Sequence, residues 1–233
     1  MDNLGGLLRY PIDEIPFILL VLVIAFTFHE FAHAYVADKF GDPTPRSMGR
    51  VTLNPMVHLD VLGTILIFLL GFGWAKPVLI KRSNFRKPRL MGILVSFAGP
   101  LANLILAFLG FLLVYLLGYF GVFQSMNPGV HSASLLFLER FVQLNLVLFL
   151  FNLLPLPPLD GYRILQDFLP LRTRLVVQQY EQWVVFLFLL MFFIPPLYSS
   201  TLGQIFTLVG PLAGVMHNIL QAIFGPVTID LVS

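Results

Sequence analysis

Long apolar runs constrain the fold of this chain more than any other feature. Of its 233 residues, 58% are hydrophobic and only 11% are charged, whereas an ordinary soluble domain is about 25% charged. A backbone in lipid must satisfy its hydrogen bonds internally, so apolar runs of span length fold as helices. We therefore expect an all-α polytopic membrane protein, with a single domain over residues 1–233 and about five to six transmembrane helices.

One apolar segment is too short to be an ordinary span. Segment 61–74 has 14 residues, three of them glycine, and this length is typical of a re-entrant segment. Upstream of it, the run Arg50-Val51-Thr52-Leu53 has the composition of a short strand. The predicted spans are 15–36, 90–120, 135–154, 180–194 and 202–224.

The clustering of Lys and Arg indicates how the chain is oriented. If segment 61–74 is re-entrant, regions 37–89 and 162–179 place twelve basic residues on one side, and Arg9 lies on the other. If the segment crosses fully, ten basic residues oppose three. Cytoplasmic loops carry the excess of Lys and Arg. The first arrangement fits better and predicts an outside N-terminus and an inside C-terminus.

Composition also excludes several kinds of function. The chain has no cysteine, which excludes thiol catalysis, disulfides and Cys-bound zinc. Its net charge of +2 is too small to indicate a nucleic-acid partner. Nothing in the sequence indicates the oligomeric state.

An H-E-x-x-H motif lies inside the first predicted span. His29 and His33 are four residues apart, so a helix places both imidazoles on one face, where they can reach one metal ion. Glu30 is close enough to act on a metal-bound water. Ionisable groups at membrane depth are costly, and a divalent cation is a natural partner for these three. The motif predicts a metal site, and the alternative is a pair of packing histidines with a caged glutamate.

Two histidines make only part of a catalytic metal site, which usually has three protein ligands and one open position. Asp160 stands out because the prolines before it, in L-P-L-P-P-L-D-G, hold the backbone extended. An ordinary Asp-Gly turn at a helix end is the alternative for this residue. The other candidates for the third ligand are His58, Asp60, His131, His217 and Glu181.

Simpler interpretations are favoured for four of the other candidates. His58 and Asp60 follow the strand-like run and either line a substrate entrance or make polar loop contacts, and we favour the loop contacts. His131 lies in a polar stretch and is expected to be solvated. His217 lies in the last predicted span, where a hydrogen-bonded packing role is favoured.

Three motifs together resemble the signature regions of the site-2 protease family of intramembrane zinc metalloproteases. They are F-H-E-F-A-H around His29, A-G-P-L-A-N at 98–103 and N-L-L-P-L-P-P-L-D-G at 152–161, in the order and spacing of the family. The runs at 49–60 and 73–78 resemble the compact bacterial and archaeal branch, which lacks PDZ-like and CBS-like regions. The resemblance covers roughly residues 26 to 162.

The resemblance implies the roles of individual residues. It implies one Zn²⁺ per chain, held by His29, His33 and Asp160, with Glu30 as the general base. Asn152 matches the family Asn thought to bind the substrate or the developing oxyanion. The other matching positions lie in the helix that contains the Gly-Pro pair: Gly99, Pro100 and Asn103. The role of Asn103 is either packing or functional.

The resemblance also implies a fold and a substrate. The family fold surrounds the zinc with three spans and places a membrane-associated β-hairpin beside it, which here implies a catalytic core of about 15–162 with additional helices at 163–233. Substrate binding by β-augmentation is then expected at Val51, Thr52, Leu53 and Asn54.

The implied activity is regulated intramembrane proteolysis. The substrate would be a membrane-spanning protein cleaved within or near the lipid bilayer, in the cytoplasmic membrane of a prokaryote. Two alternatives come from other classes: a membrane metal-ion transporter, since His and Asp inside a membrane also suit an ion path, and an inactive family member that serves as a binding scaffold.

Overall fold

The computed structural model describes residues 10–70 and 73–225, and across these ranges the chain is helical with irregular connections. Two 3₁₀ turns, Pro55–Val57 and Arg82–Asn84, accompany the α-helices. The α-helices in the described ranges are α1 (Ile15–Lys39), α2 (Thr44–Ser47), α3 (Val61–Leu70), α4 (Pro88–Tyr119), α5 (Val122–Ser125), α6 (Pro128–Asn152), α7 (Asp160–Phe168), α8 (Leu171–Gln179), α9 (Glu181–Phe193), α10 (Pro195–Ser200), α11 (Leu202–Phe206) and α12 (Val209–Phe224).

Four stretches of the described chain are long and apolar enough to cross a membrane. They are α1, α4, α6 and the stretch Gly203–Phe224, which contains most of α11 and all of α12. Helix α9 has 13 residues and is about 20 Å long, shorter than the hydrocarbon core of about 30 Å. The prediction of about five to six spans is therefore not confirmed by length and composition, which support four.

The ends of the long helices follow local chemistry. A proline in the first turn begins α1, α4 and α6, where the missing N–H needs no partner. The side chain of Asn127 accepts a hydrogen bond from the Gly129 N–H and so caps α6. Because of this cap, α6 begins at Pro128, seven residues before the predicted span 135–154.

Helix α4 is the centre of the molecule and packs against α1, α6, α7 and α12. Small residues allow the close approach: a Cβ on Gly110 would lie 2.9 Å from the side chains of Phe141 and Val142 on α6. Buried apolar side chains of α4, α6 and α12, such as Phe111, Leu146 and Leu220, form a core cluster between these three helices.

Both ends of segment 61–74 lie together. The Lys76 N–H donates to the His58 carbonyl at 2.8 Å, and a Cβ on Gly63 would lie 2.1 Å from the carbonyl oxygen of Trp74. Helix α3 between them has 10 residues and is about 15 Å long, half the thickness of the hydrocarbon core. This is the geometry that a re-entrant segment requires, with residues 71–72 outside the described ranges.

The predicted β-hairpin is not present: residues 10–70 and 73–225 contain no strand. Residues 51–52 instead form bends and residues 53–54 are irregular, because the polar side chains of this run bond to the nearby backbone. Thr52 accepts from the Asn54 N–H at 3.2 Å, and Asn54 accepts from the Met56 N–H at 3.1 Å. Such local bonds compete with strand pairing, and Pro55 then begins a 3₁₀ turn.

Candidate metal centre

Two imidazoles on α1 point toward the same place. His29 and His33 are both 6% exposed, and their Nε2 atoms lie 3.1 Å apart. The i and i+4 spacing on a helix produces this arrangement without help from the rest of the chain. The structure thus places the two histidines as the motif predicts.

Asp160 is the first residue of α7, and its Oδ2 lies 3.1 Å from Nε2 of each histidine. A tight turn brings it there. A Cβ on Gly161 would lie 2.2 Å from the Leu153 carbonyl oxygen, so a side chain at this position would push α7 away from the end of α6. The Asp-Gly pair therefore directs the carboxylate toward α1 and does not form a free surface turn.

The outer nitrogens of both imidazoles bond to acceptors. Nδ1 of His29 lies 2.6 Å from Oδ1 of Asn103, and Nδ1 of His33 lies 2.7 Å from the Val95 carbonyl oxygen. The amide of Asn103 is oriented by its own bond, which it donates to Asn145 Oδ1 at 3.0 Å. We infer from these partners that each Nδ1 carries the ring proton, which leaves the lone pair of each Nε2 free.

The three inner atoms fit a metal ion. Two imidazole lone pairs and one carboxylate oxygen, mutually 3.1 Å apart, repel one another unless a cation lies among them. Tetrahedral ligands at about 2.0–2.1 Å from zinc lie about 3.3–3.4 Å from one another, close to the spacing of this group. Because the buried group of His29, His33 and Asp160 has three ligand atoms, a fourth position is left for water or substrate.

Helix α4 leaves room for the metal by means of a glycine. A Cβ on Gly99 would lie 2.3 Å from Nε2 of His33 and 2.6 Å from Nε2 of His29. The methyl group of an alanine would therefore occupy space that the ion and its ligands need. Pro100 follows it inside the helix and is also buried.

Glu30 lies beside the metal group and is held by the backbone of the segment after α3. Its Oε2 accepts a hydrogen bond from the Val78 N–H at 3.1 Å and lies 3.9 Å from Nη2 of Arg50. The side chain is buried, with 8% exposure. These contacts orient the carboxylate next to the histidines and place a positive charge behind it.

Arg50 joins the chain segments that precede and follow α3. Its guanidinium is buried and donates to the carbonyl oxygens of Val57 and Lys76. Burial lowers the pKa of Arg50, while the carboxylate of Glu30 raises it, and an arginine remains charged in either case. Arg50 therefore holds together the segments that surround Glu30.

Asn152 is not brought to the metal group by any direct contact. It is half-buried at the end of α6, and its amide donates to the Leu148 carbonyl one turn earlier, at 2.9 Å. The run 51–54, which is predicted to bind substrate, precedes α3, and Leu53 and Asn54 in it are exposed. The roles predicted for these residues stay predictions.

The other candidate ligands lie in different places. His58 is fully buried, and its Nε2 lies 2.8 Å from the Thr52 carbonyl oxygen, the loop contact favoured above. Asp60 accepts from the Gly63 N–H at the start of α3. His131, expected to be solvated, is instead half-buried against the ring of Phe123. The last two make hydrogen bonds to tyrosines: His217 to Tyr115, and Glu181 to Tyr162.

Several residues of the site carried no specific signal in the sequence. Val78 and Val95 act through backbone groups, which any residue type has, so the residue type at these positions gives no signal. The sequence marks Arg50 only as part of a strand-like run and as one of the basic residues of region 37–89. Asn145 did offer a signal, since a polar side chain in the middle of an apolar span is uncommon.

The fold and the site together define a class of protein: a helical membrane protein with a buried group of two histidines and one carboxylate that can hold a metal ion. Comparison with known sequences then identifies the family. The sequence model of Peptidase family M50 matches residues 17–195, and the chain belongs to this family. The match confirms the resemblance to site-2 proteases.

Relatives in other organisms agree with this assignment. "Putative zinc metalloprotease YwhC" of Bacillus subtilis is 52% identical over 190 residues, which cover 81% of this chain and 85% of that protein. "Putative zinc metalloprotease Rip2" of Mycobacterium tuberculosis is 31% identical over 204 residues, covering 86% and 75%. "Putative zinc metalloprotease MJ0611" of Methanocaldococcus jannaschii is 31% identical over 160 residues, covering 64% and 73%. No solved structure gives a significant match.

Proposed function

We propose that this protein is a zinc metalloendopeptidase that hydrolyses peptide bonds of membrane-spanning proteins within or near the bilayer. One observation carries the proposal: Nε2 of His29, Nε2 of His33 and Oδ2 of Asp160 meet at 3.1 Å inside a helical bundle, next to the carboxylate of Glu30. The names of the relatives agree with zinc as the metal.

The proposed chemistry divides between the metal and the chain. His29, His33 and Asp160 would hold the zinc ion, which supplies the Lewis-acid chemistry that activates water at neutral pH. Glu30 would take a proton from the water that attacks the scissile carbonyl carbon and pass it to the leaving amide nitrogen. The Val78 N–H holds the Glu30 carboxylate in place for both transfers.

The substrate must present an extended backbone, because a helical backbone hides its carbonyl groups. Residues 51–53 form no backbone-to-backbone hydrogen bond with the described part of the chain, although the Thr52 carbonyl already contacts the His58 side chain. A substrate strand could bind there by β-augmentation even though the run is not itself a strand in the free protein. Asn152 is the proposed donor to the developing oxyanion. Its amide nitrogen carries two hydrogens, and the Leu148 carbonyl accepts one of them.

The proposed organisation follows the resemblance. The catalytic core spans about residues 15–162, the helices of 163–233 are additional, and the chain lies in the cytoplasmic membrane of a prokaryote. Regulated cleavage of a membrane-spanning partner is the process that such a site would serve.

The variant Glu30→Gln tests the proposal. It keeps the size of the side chain but removes the group that accepts the proton, so cleavage of a membrane-spanning peptide in liposomes should fall at least about 10³-fold. Metal analysis should still find about one zinc per chain. Glu139 lies on α6 with a half-exposed side chain. Glu139→Gln is therefore the matched control and should keep full activity.

Two outcomes would contradict the proposal. Full activity of Glu30→Gln would remove Glu30 from the mechanism. Zinc transport by wild-type liposomes without cleavage would instead support the transporter alternative, and absence of cleavage with zinc bound would support the scaffold alternative.

A further inference from the structure

A cavity with both polar and apolar lining residues lies between α4, α7, α8 and the chain that follows Val78. Its volume is about 280 Å³, and three arginines line it: Arg82, Arg163 and Arg174. The cavity is separate from the metal group, although Val78 and Val95 line it and also contact Glu30 and His33 through their backbones. Nothing in the proposed proteolytic mechanism uses these arginines.

The positive charges of the cavity exceed the negative charges that balance them. Asp167 is buried against Gly92 of α4 and receives Arg82 at 2.7 Å and Arg174 at 3.4 Å, both on Oδ1. Arg163 forms no ion pair or side-chain hydrogen bond with the described part of the chain. Asp167 therefore pairs with two of the three guanidinium groups, and Arg163 adds a positive charge that no carboxylate balances in this partly buried space.

The same charges act on the pKa of Arg82, which is lowered. Burial lowers its pKa, Asp167 raises it, and the charges of Arg174 and Arg163 lower it again. An anion in the cavity would offset both the cost of burying the Arg82 charge and its repulsion by Arg174 and Arg163.

The cavity also offers a buried donor without an acceptor. Gln166 is 6% exposed and lines the cavity. Its Nε2 has no hydrogen bond of normal geometry with the described residues, although the side chain also interacts with the Tyr162 hydroxyl. Native proteins rarely leave a buried amide N–H₂ unsatisfied. A ligand that accepts hydrogen bonds and carries negative charge would satisfy Gln166 and the arginines together.

The neighbouring helix indicates where such a ligand comes from. Helix α8 exposes the apolar side chains of Leu171, Leu175 and Val176 between its arginines, a composition typical of a helix at the surface of a membrane. Basic pockets in this position bind the phosphate of anionic lipid head groups. Free phosphate offers the same chemistry.

We propose that this cavity is a binding site for a phosphate-type oxyanion, held by Arg163, Arg174 and the Gln166 amide, and supplied by an anionic phospholipid head group or by free phosphate. Arg82 contributes charge from its ion pair with Asp167. The site stands independently of the proteolytic activity proposed above.

Phosphate titration of the purified full chain in detergent tests the site. Thermal unfolding of the wild type should shift upward and saturate with inorganic phosphate, but not with chloride at equal ionic strength. Arg163→Gln should weaken phosphate binding about tenfold or more, because a charge-assisted bond is lost. Arg172→Gln makes the same charge change on the exposed face of α8, outside the cavity, and should bind as the wild type does.

Nanodiscs distinguish the two sources of the anion. Native mass spectrometry should find phosphatidylglycerol retained by the wild type and by Arg172→Gln, but not by Arg163→Gln, and phosphatidylcholine should not be retained. Retention of phosphatidylglycerol without phosphate binding would make the lipid the source, and phosphate binding alone would make it free phosphate. The proposal is overturned if neither probe binds, or if Arg172→Gln loses as much binding as Arg163→Gln.

Discussion

At the scale of single residues, Gly99 decides how closely α4 can approach the metal ligands of α1. The nearest atoms to a Cβ at this position are the ring atoms of His33 and His29, at 2.3–2.6 Å. A side chain there must displace either the imidazoles or the helix. The glycine is therefore required by the space between two helices, and its helical backbone does not demand one.

Gly99→Ala is expected to lower zinc occupancy at least about tenfold while the chain still folds. Gly210→Ala is the matched control, because Gly210 begins a second G-P-L-A run and a Cβ there meets nothing within 4 Å. Metal analysis of the two purified variants measures the difference. Equal zinc in both would show that the site tolerates the methyl group.

Two asparagines near the site differ in what they touch, and substitution separates their roles. Asn103→Leu removes the acceptor for His29 Nδ1, so zinc affinity should fall about 10–100-fold. Asn152→Leu should leave zinc bound but lower the rate of cleavage about 10²–10³-fold, because an oxyanion donor is lost.

Zinc titration and cleavage assays on the same two preparations provide the comparison. If Asn152→Leu cleaves at the wild-type rate, the oxyanion role assigned from the resemblance is wrong. If Asn103→Leu keeps the wild-type zinc affinity, its bond to His29 has only a packing role.

At the scale of elements, a buried carboxylate joins α2 to the 3₁₀ turn Arg82–Asn84. Asp42 is fully buried and accepts from Thr44, from the Lys81 N–H at 2.6 Å and from Asn84 at 2.7 Å. Burial alone would raise the pKa of Asp42, but these hydrogen bonds outweigh it and the pKa is lowered. The ionised form therefore stabilises the contact between the start of α2 and the chain around the 3₁₀ turn Arg82–Asn84.

This contact should depend on pH. Because the folded pKa of Asp42 lies below the unfolded value of about 3.9, its contribution is fully present above that pH and is lost as the pH falls through the folded pKa. Asp42→Asn should cost about 1–2 kcal/mol at pH 7. Thermal unfolding should show a smaller loss of stability between pH 5 and pH 3 in Asp42→Asn than in the wild type, and equal losses would contradict the assignment.

The region 50–54 has a strand-like sequence but forms no strand. Its β-branched residues predict a strand, but a strand needs a partner, and the side chains of Thr52 and Asn54 bond to the adjacent backbone instead. Arg50 then turns inward to the Val57 and Lys76 carbonyls. Only the folded chain reveals which of these competing interactions is stronger.

At the scale of the whole molecule, the basic residues predict that region 37–89 lies inside and region 121–134 lies outside. The chain has no cysteine, so single cysteines can report the topology without background. Ser83→Cys and Ser125→Cys are both exposed sites, on opposite predicted sides. In intact cells an impermeant thiol reagent should label Ser125→Cys only, and Ser83→Cys should react after permeabilisation. The reverse pattern would invert the topology.

The sequence by itself determined the helical membrane architecture and half of the metal site. Long apolar runs allow little besides helices in lipid, and the i, i+4 spacing brings His29 and His33 together whatever the rest of the chain does. These are local properties, and the pattern along the chain contains them. The three-motif resemblance extended the prediction to Asp160 and zinc.

Only the tertiary structure decided how the distant parts converge. Asp160 is 127 residues from His33, and it reaches the imidazoles because Gly161 lets α7 fold against the end of α6. The acceptors Asn103 and Val95 come from α4, and the donor Val78 comes from the return of the re-entrant segment. Contacts between elements depend on packing across helices, for which residue periodicity within one helix contains no information.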